Sequence, residues 1–400
     1  MLSNFAKNAV VLGLLCAVGP FAIDMYLPAL PTIASDLHAS IAATQMTLMS
    51  FFIAFGGSQI VYGPISDAVG RKPPLYFGLA LFTIGSIGCG LSPSIEWLIA
   101  FRFIQGVGAA SVMVIPRAII RDLHTGVEAT RLMSLCMLVL SVSPILAPLT
   151  GSALIVPFGW RAVFAAVTIV AILGFLLTAF FLRETHLAKD RVKVSAKNLL
   201  SGFGRLLRHA RFLGLTFIGG LGMASFFTFL ASSSFIYIEH YGLTPAEFSV
   251  AFSLNAIGFI GASQFAATLG GRYGMARMVL TAVTIYAAFL LVLLGLTLAG
   301  VDNLYVLIAL LFFGFASMGV VIPTVMVLAL DDHGPIAGMA SALGGTLQML
   351  TGGAMIAIMS LFFNGTPLPM VLTMALCAVG AFLLSLITLR GYDFAAQPAE

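Results

Sequence analysis

Two ionisable side chains lie inside apolar stretches of this sequence. Asp24 stands in FAIDMYLPALP, and Arg102 stands in RFIQGVGAA. Charged groups in such surroundings are costly, and they are usually retained because they bind a ligand, pair with one another or transfer protons. A carboxylate can take up and release a proton, whereas an arginine keeps its positive charge. Asp24 and Arg102 therefore predict a site at which a proton or a ligand is bound.

The composition indicates that lipid is the solvent for most of the surface. Hydrophobic residues make up 60% of the 400 residues and charged residues only 8%, whereas a soluble domain carries about 25% charged residues. The apolar runs have the length of about 20 residues that a membrane-spanning helix needs. They do not alternate as the strands of a membrane β-barrel would. We therefore predict an all-α integral membrane protein.

The apolar runs predict twelve transmembrane helices in two pseudo-symmetric six-helix bundles. The N-terminal bundle covers residues 1–183, a cytoplasmic linker covers 184–210, and the C-terminal bundle covers 211–400. Within the linker, NLLSGFGRLLRHAR predicts a short amphipathic helix at the membrane surface. The first six helices are placed near 10–30, 43–63, 74–92, 97–118, 132–155 and 162–182, and the second six near 211–234, 246–268, 276–299, 303–326, 337–361 and 368–390.

The distribution of lysine and arginine predicts the orientation. Loops rich in these residues stay cytoplasmic, and nearly all of them fall on one side of the predicted helices, with Arg161 on the other. Both termini are therefore expected in the cytoplasm. The net charge of +4 follows from this topology, so no nucleic-acid partner is expected.

Asp24 and Arg102 are expected at similar depth. By helical rise, Asp24 lies about 9 Å and Arg102 about 8 Å from the non-cytoplasmic ends of their helices. Opposite charges in that medium favour each other, because an unpaired charge costs more than a paired one. We expect a pair that responds to protonation. A static structural pair, or an arginine that extends toward the headgroups, is the alternative.

The segment GPISDAVGRKP, from Gly63 to Pro73, predicts a tight cytoplasmic turn. Its glycines would allow close backbone approach, and Asp67, Arg71 and Lys72 would form a charge cluster. A related segment, GGRYGMARM, follows the eighth helix, where Gly274 aligns with Gly70. The repetition indicates a duplicated six-helix unit, an architecture suited to alternating access.

The order of residues in GPISDAVGRKP resembles the signature loop of the major facilitator superfamily. Five further segments narrow the resemblance to the Bcr/CflA-type drug exporters and cover both halves of the chain: DMYLPALPTIASDL, RFIQGVGAASVMVIPRAIIRD, SPILAPLTG, FGWRAVF and YIEHYG. The resemblance implies proton-coupled export of antibiotics such as bicyclomycin or the phenicols. It also implies a link between Arg102 and proton transfer.

SPILAPLTG resembles the antiporter motif of these exporters, although Ala147 stands where a glycine is more usual. Its prolines remove backbone donors and favour bends. Helix packing without any influence on transport direction is the alternative. The residues expected to act in conformational gating are Gly63, Asp67, Gly70, Arg71, Lys72, Arg117, Pro144 and Pro148.

Substrate contacts are expected from both halves of the chain. Tyr26 and Gln105 follow the charged residues of the first half, Asn255 would contribute from the second half, and SFFTFLASSSF places Phe226 and Phe227 near three serines. Aromatic rings beside hydroxyl groups suit an amphipathic drug. Together with Asp24, these five residues are the predicted substrate site. Ordinary contacts between helices or with lipid are the alternative for each.

The sequence contains no enzyme motif. HExxH, GxSxG and GxxxxGK[ST] are absent, and no cofactor or metal site is predicted. The expected function is proton-coupled efflux of an amphipathic drug by a monomer in a bacterial inner membrane, with Asp24 as the switch between proton and substrate. Uptake of a small metabolite on the same fold is one alternative. A membrane receptor or scaffold that transports nothing is the other.

Overall fold

The computed structural model of the protein describes residues 4–124, 126–186, 196–333 and 336–390. Within these residues, twelve helical spans are long and apolar enough to cross a membrane, and no strand occurs. The prediction of an all-α membrane protein with twelve spans is confirmed. The chain divides into two units, Met1–Asn198 and Leu199–Glu400, each with six of the spans.

The helices of the N-terminal unit are α1 (Asn4–Asp24), α2 (Leu30–Asp36), α3 (Ile41–Val69), α4 (Lys72–Leu91), α5 (Ile95–Leu123), α6 (Gly126–Phe158) and α7 (Arg161–Phe181). Helix α8 (Ala196–Leu206) crosses the boundary between the units. The C-terminal unit continues with α9 (Ala210–Ser234), α10 (Pro245–Ser263), α11 (Ala266–Tyr273), α12 (Met275–Leu298), α13 (Leu304–Asp331), α14 (Ala337–Ser360) and α15 (Pro367–Thr388).

The first span is interrupted, which corrects the continuous helix predicted over 10–30. Helix α1 ends at Asp24, a short 3₁₀ turn covers Leu27–Ala29, and α2 begins at Leu30. Pro28 has no amide hydrogen, so it cannot donate the helical hydrogen bond to the carbonyl oxygen of Asp24 four residues earlier. The interruption places the Asp24 side chain at a helix end instead of within a helix.

The segment predicted as a loop over Gly63–Pro73 is mostly helical, because α3 continues through Val69. The turn itself consists of Gly70 and Arg71. Gly70 has a φ of 101°, and Gly274 at the corresponding turn of the C-terminal unit has a φ of 84°; both values lie in the region that favours glycine. The close approach predicted at Gly63 is wrong, since a Cβ built there has no atom within 4 Å.

Close helix contacts through glycine occur in both units. A Cβ built at Gly106 of α5 would lie 2.5 Å from the carbonyl oxygen of Phe51 on α3. A Cβ built at Gly319 of α13 would lie 2.0 Å from the carbonyl oxygen of Phe259 on α10. Small residues permit such approach between membrane helices. These contacts hold together the helix pairs that carry the polar residues described below.

Helix α8 lies where the linker sequence predicts an amphipathic helix. Leu206 is fully buried, and a Cβ at Gly202 would lie 2.7 Å from the terminal methyl of Met339 on α14. Leu200 is exposed on the other side. One face of α8 is thus attached to the C-terminal unit and the other is free of it.

Candidate functional site

The Asp24 carboxylate lies at the C-terminal end of α1, where the chain leaves helical geometry. Only 5% of the residue is exposed. Its side chain makes no hydrogen bond or ion pair with any residue that the structure describes. A buried carboxylate without such partners is costly when charged. Protonation would remove most of that cost, so the geometry suits a group that changes its protonation state.

Arg102 is fully buried on α5. One guanidinium nitrogen, Nη1, donates to the carbonyl oxygen of Ala22 at 3.0 Å and to Oε1 of Gln105 at 2.7 Å. The guanidinium carbon lies 4.6 Å from the ring centroid of Tyr26 and 4.5 Å from that of Phe51. Aromatic faces attract a desolvated cation at these distances. Within the described residues, Nε and Nη2 have no hydrogen-bond partner.

The direct ion pair predicted between Asp24 and Arg102 is not formed. Among the residues that the structure describes, no carboxylate lies within ion-pair distance of Arg102. The physical reason is the interruption after α1, which ends the helix at Asp24, while two aromatic rings and the Ala22 carbonyl surround the guanidinium. The two charged residues are nevertheless connected, because Arg102 holds the backbone two residues before Asp24.

Tyr26 and Gln105, both predicted as substrate contacts, are committed to this network. Thr47 donates its hydroxyl hydrogen to the carbonyl of Thr44 at 2.6 Å, so the Tyr26 hydroxyl donates to Thr47 at 2.8 Å. Gln105 accepts from Arg102 and donates through Nε2 to Ser86 at 2.7 Å. Both side chains are fully buried. They orient Arg102, and in this arrangement their polar atoms are occupied.

Helix α6 contacts the segment that follows Asp24. A Cβ built at Gly151 would lie 2.3 Å from the carbonyl oxygen of Met25. Pro144 and Pro148 lie inside α6, which continues from Gly126 to Phe158. The hydroxyl of Ser152 donates to the carbonyl of Pro148 at 3.0 Å. The segment SPILAPLTG is therefore placed where a movement of α6 would reach the end of α1.

A second polar site, the Arg71 cluster, lies at the turn between α3 and α4. Arg71 contacts the carboxylate of Asp67, donates from Nε to Asp122 on α5 at 2.8 Å, and donates from Nη1 to Ser66 at 3.0 Å. Burial opposes the charged form, but the carboxylates of Asp122 and Asp67 outweigh it and raise the pKa of Arg71. The predicted charge cluster therefore exists and extends to a neighbouring helix.

Glu184, which follows α7, binds the start of α4. Its carboxylate accepts from the amide of Arg71 at 2.9 Å and from the amide of Lys72 at 3.0 Å. The Lys72 ammonium donates to the carbonyl of Leu182 at 2.7 Å. A carboxylate at a helix N-terminus satisfies free amides and interacts favourably with the helix dipole. Although burial raises the pKa of Glu184, hydrogen bonds from these amides and that of His186 lower it overall.

Arg117, predicted among the gating residues, does not belong to the Arg71 cluster. It lies on α5, and its Nη2 contacts the sulfur of Met113 at 3.9 Å. The thiols of Cys16 on α1 and Cys136 on α6 lie close enough to interact with its charge. The structure thus places it near α1 and α6.

Phe226 and Phe227 of α9, predicted together as substrate contacts, face different helices. The Phe226 ring stacks on Phe259 with centroids 6.0 Å apart, whereas the Phe227 ring lies against Gly352 of α14, where a Cβ would approach within 2.1 Å. Asn255 is buried on α10, and its Nδ2 donates to the carbonyl of Ala251 at 3.4 Å. The two phenylalanine rings lie 6.2 Å apart, and Phe226 packs on α10, the helix that also carries Asn255.

Sequence reasoning missed three residues of these sites. Asp122 lies at the end of the quoted segment RFIQGVGAASVMVIPRAIIRD. An acidic residue at a helix end could have indicated a partner for the basic residues of the neighbouring turn. Glu184 directly follows an apolar span, but nothing in the sequence connects it with Arg71, 113 positions away. Gly151 is the last residue of the quoted segment SPILAPLTG. Its contact with Met25 depends on how α1 and α6 pack.

Comparison with known proteins identifies the family of the chain. The sequence pattern of the Major Facilitator Superfamily matches residues 12–357. The chain is 36% identical over 346 residues, 86% of each chain, to YdgK of Bacillus subtilis (strain 168), an uncharacterized MFS-type transporter. The chain belongs to the Major Facilitator Superfamily. It is a transporter and not an enzyme.

Two other relatives carry names that refer to drugs. The bicyclomycin resistance protein homolog of Haemophilus influenzae is 29% identical over 382 residues, with 92% of this chain and 93% of the relative covered. The multidrug resistance protein MdtL of Escherichia coli (strain K12 / DH10B) is 31% identical over 241 residues, with 59% and 60% covered.

Solved structures share the fold at low sequence identity. A D-xylose-proton symporter superimposes with a TM-score of 0.75 at 15% identity over 98% of both chains. A bacterial homolog of the human lysosomal transporter Spinster superimposes with a TM-score of 0.76 at 15% identity over 100% of both chains. At this identity the likeness concerns the fold alone.

Proposed function

We propose that the protein exports amphipathic, drug-like compounds in exchange for protons, and that Asp24 is the group that carries the proton. The observation that supports this proposal most is the buried Asp24 carboxylate, which lies at a helix interruption without a partner among the described residues. The names of the two drug-related relatives support a drug-like substrate.

In the proposed cycle, Asp24 binds a proton when its site is open to the outside and releases it when the site is open to the cytoplasm. Substrate binds to the deprotonated form. Competition between proton and substrate for one carboxylate is sufficient for coupling, because each ligand then favours a different state of the same protein. Arg102 acts as a positioning residue, since it holds the Ala22 carbonyl and thereby the end of α1.

The energetics favour export of a neutral compound. If one proton enters for each neutral molecule exported, one charge crosses the membrane per cycle. Both the pH gradient and the membrane potential then drive transport, and the potential contributes about 2.3 kcal/mol per 100 mV. The proposal places both termini in the cytoplasm, an orientation that the distribution of basic residues supports. It also takes the protein to act as a monomer in a bacterial inner membrane.

The test uses everted membrane vesicles from cells that express the protein, with radiolabelled chloramphenicol and tetraphenylphosphonium as probes. An acidic lumen should drive accumulation of at least one probe, and Asp24→Asn should abolish that accumulation. Glu96→Gln is the matched control, because Glu96 is an exposed carboxylate of the same unit. The control should transport like the wild type.

Three outcomes would overturn the proposal in different ways. Undiminished pH-driven accumulation by Asp24→Asn would exclude Asp24 as the proton carrier. Probe movement in the opposite direction under the same gradient would indicate an importer. The absence of flux for every compound under every gradient would indicate a receptor or scaffold.

A further inference from the structure

Helix α8 leads directly into a membrane span. It ends at Leu206, and α9 begins at Ala210, which is also the first residue of the span Ala210–His240. Only Leu207, Arg208 and His209 separate the two helices. A segment so close to the start of a span lies at the boundary between hydrocarbon and water, where the phospholipid headgroups are found. The free face of α8 is therefore within reach of those headgroups.

A groove of about 520 Å³ follows this face of α8. The residues that line it, here called the α8 groove, are Leu200, Ser201, Gly204, Arg205, Arg208 and His209. The groove is open at Gly204, where a built Cβ has no atom within 4 Å. Leu200 lies one helical turn before Gly204, on the same face, and is exposed. The groove therefore joins an exposed apolar side chain to a cluster of basic ones.

The two arginines of the α8 groove lack a counter-charge. Arg205 and Arg208 are exposed, and neither forms an ion pair with a residue that the structure describes. By contrast, Arg211 pairs with Asp332 at 3.0 Å. The amide of Arg208 donates to the carbonyl of Arg205 at 3.3 Å, so the helical turn continues and both side chains leave it on one side. Two unpaired cations on one side of a turn attract an anion.

The donors of the α8 groove suit a phosphate group. Guanidinium groups bind phosphate oxygens through two parallel hydrogen bonds, which makes arginine a preferred residue for phosphate recognition. His209 adds a third donor. Its Nδ1 accepts from the amide of Phe212 at 3.2 Å, so the neutral ring carries its hydrogen on Nε2. All three side chains can therefore donate to one anionic group.

The apolar side chains decide between a lipid and a soluble phosphate. Leu200 and Leu207 are exposed on the same short segment, while Leu206 is fully buried against the C-terminal unit. Exposed leucines beside a membrane span are covered when acyl chains pack on them. A soluble anion would leave them in water. The α8 groove thus matches a molecule that has both a phosphate and an acyl chain.

We propose that the α8 groove binds an anionic phospholipid of the surrounding bilayer. Arg205 and Arg208 contact the phosphate and the rest of the negatively charged headgroup, and Leu200 contacts an acyl chain. Basic clusters next to a membrane span attract anionic lipids in this way. The inference goes beyond the proposed transport function and does not depend on it, because lipid binding requires neither substrate nor a proton gradient.

The test measures the binding of single lipids to the purified protein in detergent by native mass spectrometry. Phosphatidylglycerol and phosphatidylcholine are the probes, because both carry a phosphate but only the first has a net negative charge. The wild type should bind phosphatidylglycerol more tightly. Arg205→Gln with Arg208→Gln should raise the Kd for phosphatidylglycerol about 30-fold, the equivalent of about 1 kcal/mol for each arginine. The Kd for phosphatidylcholine should change by less than about threefold.

Matched controls exist in the same unit. Arg272→Gln with Arg277→Gln also removes two exposed arginines, and two spans separate them from α8, so they lie on the same side of the membrane. Gly204→Leu keeps both arginines of the groove but places a side chain in its open part, and it should also raise the Kd for phosphatidylglycerol. Gly271→Leu is its control, because a Cβ built there likewise has no atom within 4 Å. Neither control should change the lipid preference.

Three results would overturn the inference. Equal Kd values of the wild type for the two lipids would show that charge is not recognised. A loss of preference in Arg272→Gln with Arg277→Gln as large as in the groove variant would show a general effect of net charge. Displacement of phosphatidylglycerol by glycerol 3-phosphate would indicate a site for soluble phosphates. The absence of drug flux in vesicles would refute the proposed function and leave these Kd values unchanged.

Discussion

The two units interrupt their first span in different ways and surround the interruption with different chemistry. In the N-terminal unit, α1 ends at Asp24 and a 3₁₀ turn follows. The buried Arg102 donates to the carbonyl oxygen of Ala22, two residues before Asp24. In the C-terminal unit, α9 passes into a π-helical turn over Phe235–His240, next to the buried Ser233 and Ser234, and Asn255 lies beside Tyr237. The two units thus have the same number of spans, but the titratable carboxylate lies in one unit and the neutral hydrogen-bonding groups lie in the other.

The turns that follow the second span also differ between the two units. Gly70 and Gly274 both have positive φ, because each chain must turn sharply between helices. In the N-terminal unit the turn carries the Arg71 cluster, and Glu184 binds the first amides of the following helix. In the C-terminal unit Arg272 is exposed over the ring of Tyr273 at 5.3 Å, and α12 begins without a side-chain cap.

Moving the carboxylate between the units is the strongest test of this comparison. The double variant Asp24→Asn with Asn255→Asp keeps a buried carboxylate but transfers it to α10 of the C-terminal unit. We expect pH-driven accumulation of drug in everted vesicles to stay at least about tenfold below wild type, because the carboxylate no longer lies at the end of α1. Recovery of coupled transport would mean that its position is unimportant.

Removal of Arg102 should destabilise the protein more than removal of Arg272. Arg102→Ala leaves the Ala22 carbonyl and Gln105 Oε1 without their donor, and each hydrogen bond to a charged group contributes about 1.5–3 kcal/mol. Exposed Arg272→Ala should change the free energy of unfolding by less than about 0.5 kcal/mol. Thermal unfolding of both variants in detergent measures the difference. Equal midpoints would contradict the role assigned to Arg102.

Two glycines of the N-terminal unit should respond differently to alanine. Gly151→Ala places a methyl group against the Met25 carbonyl and should cost about 1–3 kcal/mol, because α1 and α6 must move apart. Gly57→Ala meets no atom of a neighbouring helix within 4 Å, and inside α3 it should stabilise the protein by up to about 1 kcal/mol. Thermal unfolding ranks the variants, with transport assays as the second readout. A stable, fully active Gly151→Ala would refute the close contact.

A smaller loss of stability than at Arg102 or Gly151 is expected at Glu184. Glu184→Gln weakens the acceptor at the start of α4 and should cost about 1 kcal/mol at neutral pH. The folded-state pKa of Glu184 is lowered, so its contribution is present above its ordinary pKa and is lost as pH falls through the lowered value. The gap between the unfolding midpoints of the two proteins should therefore narrow as pH falls below the ordinary glutamate pKa of about 4.3. A gap independent of pH would contradict this.

The sequence by itself determined the membrane class, the twelve spans and the family. These properties depend on the length of apolar runs and on short local patterns such as GPISDAVGRKP, and both are written along the chain. It also identified Asp24, Arg102, Gly70 and Asn255 as residues that need a structural reason, because charge, amide or backbone freedom at such positions is costly.

Only the tertiary structure decided what these residues contact. Arg102 binds a carbonyl and two aromatic rings instead of Asp24, Glu184 reaches the amide of Arg71, and Gly151 meets Met25. The stacking of Phe229 of α9 on Phe252 of α10 likewise depends on how these helices pack. The physical reason is that the apolar pattern decides which segments enter the membrane, whereas the depth and rotation of each helix decide which polar groups meet.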